Sequence, residues 1–297
     1  MLAARVCTQL GVAPGKALIS RFSDGEIRVE IGENVRGKDT YVLQSTCPPV
    51  NENIMELLVL IDALKRASAS RINAIIPYYG YGRQDQKDKP RVPIAAKVVA
   101  DLLAVAGAHR IIAIDLHADQ IQWFFCVPVD HHFGTNVLAS AVKQELRGDE
   151  IVVAPDSGGV ERARHFATRL KLDLALMDYR ENGVHPRIVG NVKGKRVIIL
   201  DDMVDTAGTL VRTAKVAQES GAAIVDACVV HPVLSGDSVM LVESSAIRML
   251  MVTDTVPLSK AGEQCKKIVT VSIAPMLAEI VKRVHFEESV SSIFADI

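Results

Sequence analysis

Two aspartates stand side by side at Asp201 and Asp202, directly after the apolar run "VIIL" (197–200), and "MVDTAGTL" follows them. The apolar run predicts a buried strand ending at Leu200, and "VRTAKVAQES" predicts a helix beginning near Thr209. Asp205, Thr206, Ala207, Gly208 and Thr209 then form a turn at a helix N-terminus. There the free N–H groups and the positive end of the helix dipole attract a phosphate. Thr206 and Thr209 add hydroxyl donors, and Gly208 lets the backbone come close. Two carboxylates beside a phosphate repel it unless they accept hydrogen bonds from hydroxyls or face a cation. A sugar with a phosphate at one end and vicinal hydroxyls further along satisfies both halves of the motif. Two other apolar runs end in the same way. "RIIAID" (110–115) delivers Asp115 and His117, and "IVVAPD" (151–156) delivers Asp156, followed by Ser157, Gly158 and Gly159.

Such groups need a scaffold of strands. "INAIIPYY" (72–79), "RVIILDD" (196–202), "AAIVDACVV" (222–230) and "IRMLMVTD" (247–254) read as further buried strands. Ile54, Leu57, Leu58, Ile61 and Leu64 fall three or four apart, with Asn51 placed as a cap, and predict an amphipathic helix. Strands alternating with helices imply parallel sheets covered on both faces, which bind ligands outside the carboxyl ends of their strands. The fold class is therefore α/β, with two doubly wound parallel-sheet domains. The polar stretch "VDHHFGTN" (129–136) marks the boundary, with His131 and His132 read as hinge residues. The domains are residues 1–134 and 135–285, and the tail 286–297 is expected to pack on the first.

The 297 residues carry 34 basic and 35 acidic side chains, a formal charge of −1, which excludes the global basic field of a non-specific nucleic-acid binder. No apolar run reaches the roughly 18 residues of a membrane span. The five cysteines (7, 47, 126, 228, 265) lack metal-ligand spacing and read as reduced thiols, so a cytoplasmic protein is expected. "GVAPGKA" (11–17) is one residue short of a P-loop, and "GYGRQD" lacks the third glycine of a dinucleotide fingerprint.

"RFSDGE" (21–26), "QSTCPPVNENIMEL" (44–57), "YGRQD" (81–85), "DLHADQIQ" (115–122), "PDSGG" (155–159), "DDMVDTAGTL" (201–210) and "ESVSSIF" (288–294) resemble, in order, segments of the ribose-phosphate diphosphokinases, which have the type I phosphoribosyltransferase fold. The resemblance implies transfer of the diphosphoryl group of Mg·ATP to ribose 5-phosphate, giving phosphoribosyl pyrophosphate and AMP. By resemblance Phe22, Asp24 and Glu26 meet the adenine, with Arg83, Gln84 and Asp85 beside the nucleotide. An aromatic face and a guanidinium plane are able to sandwich a base. His117 and Asp156 become magnesium ligands, with phosphate oxygens and waters completing an octahedron. Asp156, Ser157, Gly158 and Gly159 become the diphosphate nest. Asp201, Asp202 and residues 205–209 hold the sugar phosphate. Arg36, Arg91, Ser289, Ser291 and Phe294 resemble an allosteric site for phosphate and ADP that lies between subunits of a hexamer.

The chain departs from that family in places. A catalytic loop that normally opens with a lysine and an arginine reads "MDYRENGVHPRIVGNV" (177–192). Tyr179 replaces the lysine, the loop is about four residues shorter, and the lost catalytic charge falls to Arg180; by resemblance the catalytic residues are then Arg180 and His117. Gln86 replaces a basic residue, Trp123 and Ala207 replace expected glycines, and a first strand before "RFSDGE" is missing or rebuilt. Two rival readings follow. One is a non-catalytic subunit that tunes an active paralogue, motivated by the altered loop. The other is a nucleobase phosphoribosyltransferase, which leaves "FSDGE" and "RQD" unexplained.

Overall fold

The computed structural model describes residues 2–179 and 186–290, so Arg180, Ser291 and Phe294 lie outside the described residues. The described chain divides into two compact units. One runs to Phe133 and resumes at Ala274, and the other is Gly134–Ile273.

The first unit opens with helix α1 (Leu2–Leu10) and a hairpin of β1 (Ala17–Arg21) and β2 (Ile27–Ile31). The segment where a first strand was expected to be missing or rebuilt is thus a helix leading into β1. Then come β3 (Asp39–Leu43), α2 (Val50–Arg66), β4 (Arg71–Ile76), α3 (Ala95–Ala106), β5 (Arg110–Ile114), a 3-10 helix (Asp119–Phe124) and β6 (Val129–His132). Strands β3, β4, β5 and β6 pair in parallel in chain order. The apolar stripe of α2 (Ile54, Leu57, Ile61, Leu64) packs with Ile72, Ala74 and Ile76 of β4. Burying each such large aliphatic side chain contributes about 1.5–3 kcal/mol. Ile75, Ile112 and Ile114 point to the opposite face by strand alternation and are also buried, so the sheet is covered on both sides. Two expectations shift here. Asn51 does not cap α2, which already begins at Val50; its Oδ1 instead accepts a hydrogen bond from the Tyr81 hydroxyl at 2.6 Å. His131 and His132 are not a hinge, because they end β6, paired with Ala113 and Ile114.

The second unit contains α4 (Thr135–Lys143), β7 (Glu150–Ala154), α5 (Val160–Leu170), β8 (Asp173–Asp178), β9 (Arg187–Val189), β10 (Arg196–Val204), α6 (Gly208–Glu219), β11 (Ile224–Pro232), α7 (Ser238–Ser244), β12 (Met249–Thr253), α8 (Lys260–Gln264) and β13 (Ile268–Val271). Helix α9 (Ala274–His285) then packs on α1 of the first unit. Among the described residues the sheet order is β13-β12-β11-β10-β7-β8-β9, parallel except for β9 against β8. From β7 the chain moves outward to β8 and β9, then returns to place β10 on the other side of β7 and moves outward the other way. The order therefore reverses between β7 and β10, which is where open α/β sheets form their ligand crevice.

Strand β10 does not stop at Leu200. It continues to Val204 because Asp201, Met203 and Val204 keep pairing with Val229, His231 and Pro232 of β11, past the end of β7 at Ala154. The opposite end of this sheet is closed by ions. Arg196, at the start of β10, contacts Asp226 (2.7 Å), Glu145 (3.3 Å) and Glu150 (3.6 Å), and Arg248 also donates to Asp226 at 2.6 and 2.8 Å. No described helix is long and apolar enough to cross a membrane.

Candidate active site

The residues expected to hold the sugar phosphate gather at the reversal of strand order. The Asp202 N–H donates to Asp201 Oδ1 at 2.9 Å, which turns the first carboxylate back over the strand. Burial pushes the Asp201 carboxyl well above the usual carboxylate range, and the charges of Asp202 and Asp156 push it further the same way. Asp202 is itself buried, and Arg162 of α5 reaches within 3.8 Å of its Oδ1. Acids so crowded favour a partner that brings hydroxyl donors or positive charge.

The strand then enters the anion turn. The Ser235 hydroxyl donates to the Asp205 carboxylate, and the Ser235 N–H donates to the Asp205 carbonyl at 3.0 Å. Ala207 sits at φ +64°, the left-handed region, immediately before α6 starts at Gly208. An L-residue there costs roughly 1–2 kcal/mol, which is the physical reason a glycine is expected at this position. Thr206, Gly208 and Thr209 are exposed around the first turn of α6. On the neighbouring strand, Asp156 follows β7 and its Oδ1 accepts the Gly159 N–H at 2.9 Å, just before α5 begins. Ser157 and Gly158 are exposed beside it.

In the first unit the nucleotide candidates lie on the loops that leave β4 and β5. The Gly80 N–H donates to Thr46 Oγ1 at 2.6 Å, and a Cβ on residue 80 would lie 2.4 Å from the Thr46 carbonyl oxygen. Only glycine permits that approach, and it aims the loop toward His117. A Cβ on Gly82 would lie 3.8 Å from His117 Cβ, so Arg83, Gln84 and His117 are brought to one place. Arg83 and Gln84 are exposed and line a cavity of about 400 Å³ with Val50, Asn51, Tyr78 and Tyr81. Aromatic walls beside a guanidinium suit a base or its phosphates. Asp85, expected at the nucleotide, is buried, and its Oδ2 accepts from Gln120 Nε2 at 2.7 Å.

The turn carrying His117 is pinned to β6. Asp115 has φ +40°, and its N–H donates to the His132 carbonyl at 2.8 Å. The Leu116 N–H donates to His131 Nε2 at 2.9 Å. His117 itself is exposed. Thr46, Gln120, Arg162, Ser235 and His131 are supporting residues that sequence reasoning missed. The spacing of the strands carries no signal for them, because each acts across a loop.

The remaining candidates lie on other elements. Phe22, Asp24 and Glu26 form the turn of the β1–β2 hairpin, where the Phe22 N–H donates to the Glu26 carbonyl (2.8 Å) and the Glu26 N–H to Asp24 Oδ1 (3.1 Å). Phe22 is half-exposed, with the Arg28 guanidinium 5.9 Å from its ring centre. Arg36 and Arg91 are exposed, and the Ser289 carbonyl accepts from Arg283 at 2.9 Å. Tyr179 lies with the Arg212 guanidinium 6.0 Å from its ring centre. Among the described residues no three His, Cys, Asp or Glu side chains form a self-sufficient metal site.

Residues 1–107 match the model of the N-terminal domain of ribose phosphate pyrophosphokinase, and residues 180–295 match the phosphoribosyl synthetase-associated domain. The chain is 52% identical to a ribose-phosphate pyrophosphokinase of Burkholderia pseudomallei over 99% of this chain and 94% of that protein. It is 49% identical to the Wolinella succinogenes protein of the same name, over 97% of this chain and 94% of that one. A crystal structure of phosphoribosylpyrophosphate synthetase from Mycobacterium smegmatis superposes with a TM-score of 0.91 at 42% identity, covering 96% of this chain and 95% of that one. With acids at the reversal of a parallel sheet and kinship running along nearly its whole length, the chain belongs to the ribose-phosphate pyrophosphokinase family.

Proposed function

We propose that the protein is a transferase that moves the β,γ-diphosphoryl group of ATP to the anomeric hydroxyl of D-ribose 5-phosphate, giving phosphoribosyl pyrophosphate and AMP for nucleotide biosynthesis. The observation that carries this reading is the Asp201–Asp202 pair running into the left-handed turn at the N-terminus of α6. Relatives named for the activity match along almost the whole chain, which favours an active enzyme over a non-catalytic subunit, despite Tyr179 in place of the lysine.

Asp201 and Asp202 accept hydrogen bonds from the ribose hydroxyls, and the exposed N–H groups and hydroxyls of residues 205–209 take the 5-phosphate. Phe22, Asp24, Glu26, Arg83 and Gln84 hold ATP, with Asp85 buttressing that loop through Gln120. The anomeric oxygen attacks the β-phosphorus in line, its proton departs, the Pα–O–Pβ bridge breaks on the β side, and AMP leaves. In such a reaction the protein mainly positions the reactants and neutralises developing charge.

Magnesium fits this donor set. An exposed imidazole at His117 and the acid cluster at Asp156, with a neighbouring carboxyl already pushed toward its protonated form, are sites that a hard cation would stabilise. When bound, the ion would neutralise the phosphate oxygens. Ser157 and Gly158 present N–H groups to the moving diphosphate, Gly159 closes the nest with its own N–H held by Asp156 Oδ1, and Arg180 supplies the charge that Tyr179 lacks. Phosphate and ADP acting at Arg36, Arg91, Ser289, Ser291 and Phe294, and assembly as a hexamer, belong to the same proposal.

The test is AMP formation from ATP with magnesium and phosphate, with and without ribose 5-phosphate. Sugar-dependent AMP is expected, falling roughly 10²-fold or more in Arg180→Ala, by analogy with the loss of other charge-stabilising donors. Tight ATP binding without AMP would instead reinstate the non-catalytic subunit.

A further inference from the structure

His131 has no part in the chemistry proposed above, yet its position is tightly specified. It sits in β6, paired with Ala113 of β5, and its side chain is 4% exposed. Nε2 lies 2.9 Å from the Leu116 nitrogen. A backbone N–H is always a donor, so Nε2 must carry the lone pair and Nδ1 the proton. On that side the Gln122 Nε2 amide lies 3.1 Å from Nδ1 and donates to the Asp119 carbonyl, so the acceptor facing the Nδ1 proton is the Asp119 carboxylate at 3.7 Å. The ring also packs against Phe133, with centroids 4.7 Å apart. Imidazole tautomer, ring plane and acceptor direction are thus all set by the surroundings.

Leu116 is the residue between Asp115, whose φ of +40° is unfavourable for an L-residue, and the exposed His117. A turn in that conformation persists only when its surroundings over-determine it. Two hydrogen bonds from β6 do so here: the His132 carbonyl takes the Asp115 N–H, and the His131 ring takes the next N–H along. The backbone carbonyl would remain whatever side chain stood at 132, whereas the ring acceptor exists only because residue 131 is a histidine.

We infer that His131 is a positioning residue for this enzyme: through its Nε2 acceptor on the Leu116 N–H it fixes the strained turn that presents His117. The inference rests on the role given to His117 in the proposed function. Histidine is suited to the task because its acceptor lies at the end of a rigid ring, so the distance from β6 to the turn is set by covalent geometry. Glutamine places a carbonyl oxygen at a similar reach but on a flexible stem, and phenylalanine fills the ring volume with no acceptor.

The experiment is a double-substitution cycle with His131→Phe, His131→Gln, His117→Ala and the His131→Phe/His117→Ala pair, read by kcat, KM for each substrate, thermal midpoint and hydrogen exchange at the Leu116 amide. His131→Phe is expected to lower kcat roughly 10- to 100-fold, the usual consequence of removing a group that orients a ligand residue. Exchange at Leu116 should speed up in the same variant. His131→Gln should restore most of both. In the His117→Ala background the further loss from His131→Phe should vanish, since positions that act as one unit are non-additive. An equal loss in both backgrounds would overturn the inference and leave His131 a fold residue only, as would unchanged Leu116 exchange in His131→Phe. Full activity in His117→Ala alone would sink the role given to His117, and the exchange data would still report whether the ring holds the turn.

Discussion

The residues proposed to hold the sugar phosphate ride on strands, whereas those proposed to hold the nucleotide ride on loops fastened by side chains from elsewhere. Asp201 and Asp202 belong to β10 itself, and Asp156 follows β7 by two residues. Their placement is as stiff as a parallel sheet buried on both faces. Arg83, Gln84 and His117 depend instead on Thr46 beneath Gly80, Gln120 on Asp85, and His131 on Leu116. Each of those hydrogen bonds contributes about 1 kcal/mol net, and more is lost when a buried partner is stranded. The first set of residues is therefore robust until its sheet fails, and the second is adjustable bond by bond.

The comparison breaks most visibly at the ionic end of the second sheet. Asp226→Ala strands the buried Arg196 guanidinium, which still faces Glu145 and Glu150 but loses its closest carboxylate. Removing one partner of such a cluster destabilises by about 3–5 kcal/mol. Scanning calorimetry should show the second unit melting ahead of the first; an unchanged midpoint would mean the sheet does not depend on its ion cluster.

Acid should act on the loop-built half. Burial lowers the pKa of His132 to about 4 from 6.5, with Asp130 opposing the shift. Between those values the unfolded chain binds a proton that the folded one refuses, so stability is complete above about pH 6.5 and is lost as pH falls toward 4. The loss approaches about 3 kcal/mol. Denaturant midpoints from pH 7 to 4.5 should fall accordingly, and His132→Phe should flatten that slope; a slope unchanged by the substitution would assign it elsewhere.

Substrate constants sharpen the comparison next. Asp202→Asn removes a charged acceptor worth about 1.5–3 kcal/mol, so kcat/KM for ribose 5-phosphate should drop roughly 10- to 100-fold with KM for ATP little changed. Arg83→Ala should do the reverse, raising KM for ATP alone. Initial rates with each substrate varied at saturation of the other decide this, and a variant that moved both constants equally would dissolve the division of labour. Smallest of all, Ala207→Gly removes left-handed strain but adds chain entropy to the unfolded state, a net gain of at most about 1 kcal/mol in thermal unfolding.

The strand-borne half was also the half legible in the sequence. An apolar run that stops abruptly at a carboxylate is visible without a structure, and three such endings located Asp115, Asp156 and Asp201. The strand limit at Leu200 was set too early, because charge is normally a sign of exposure and only the continued pairing with β11 shows that the strand outlasts β7. Strands β1, β2, β3, β9 and β13 escaped detection, being short, mixed in polarity or at edges, where no continuous apolar run is needed. The polar stretch at 129–132 looked like a hinge because "VDHH" carries no hydrophobic pattern, yet it pairs with β5 and its histidine ring is spent on a backbone donor. Asn51 had the composition of a cap and the neighbourhood of Tyr81, and the neighbourhood decided.

The reversal between β7 and β10 also governs which substitutions the crevice will tolerate. Right-handed crossovers leaving in opposite directions send α5 and α6 off opposite faces of the sheet. The crevice is therefore flanked by two helix N-termini, each equivalent to roughly half a positive charge. That charge belongs to peptide groups, so no side-chain replacement deletes it and no physiological pH neutralises it. A pull on anions is in effect inherited with the topology, and what those anions are attached to is left for the loops and side chains around the crevice to choose.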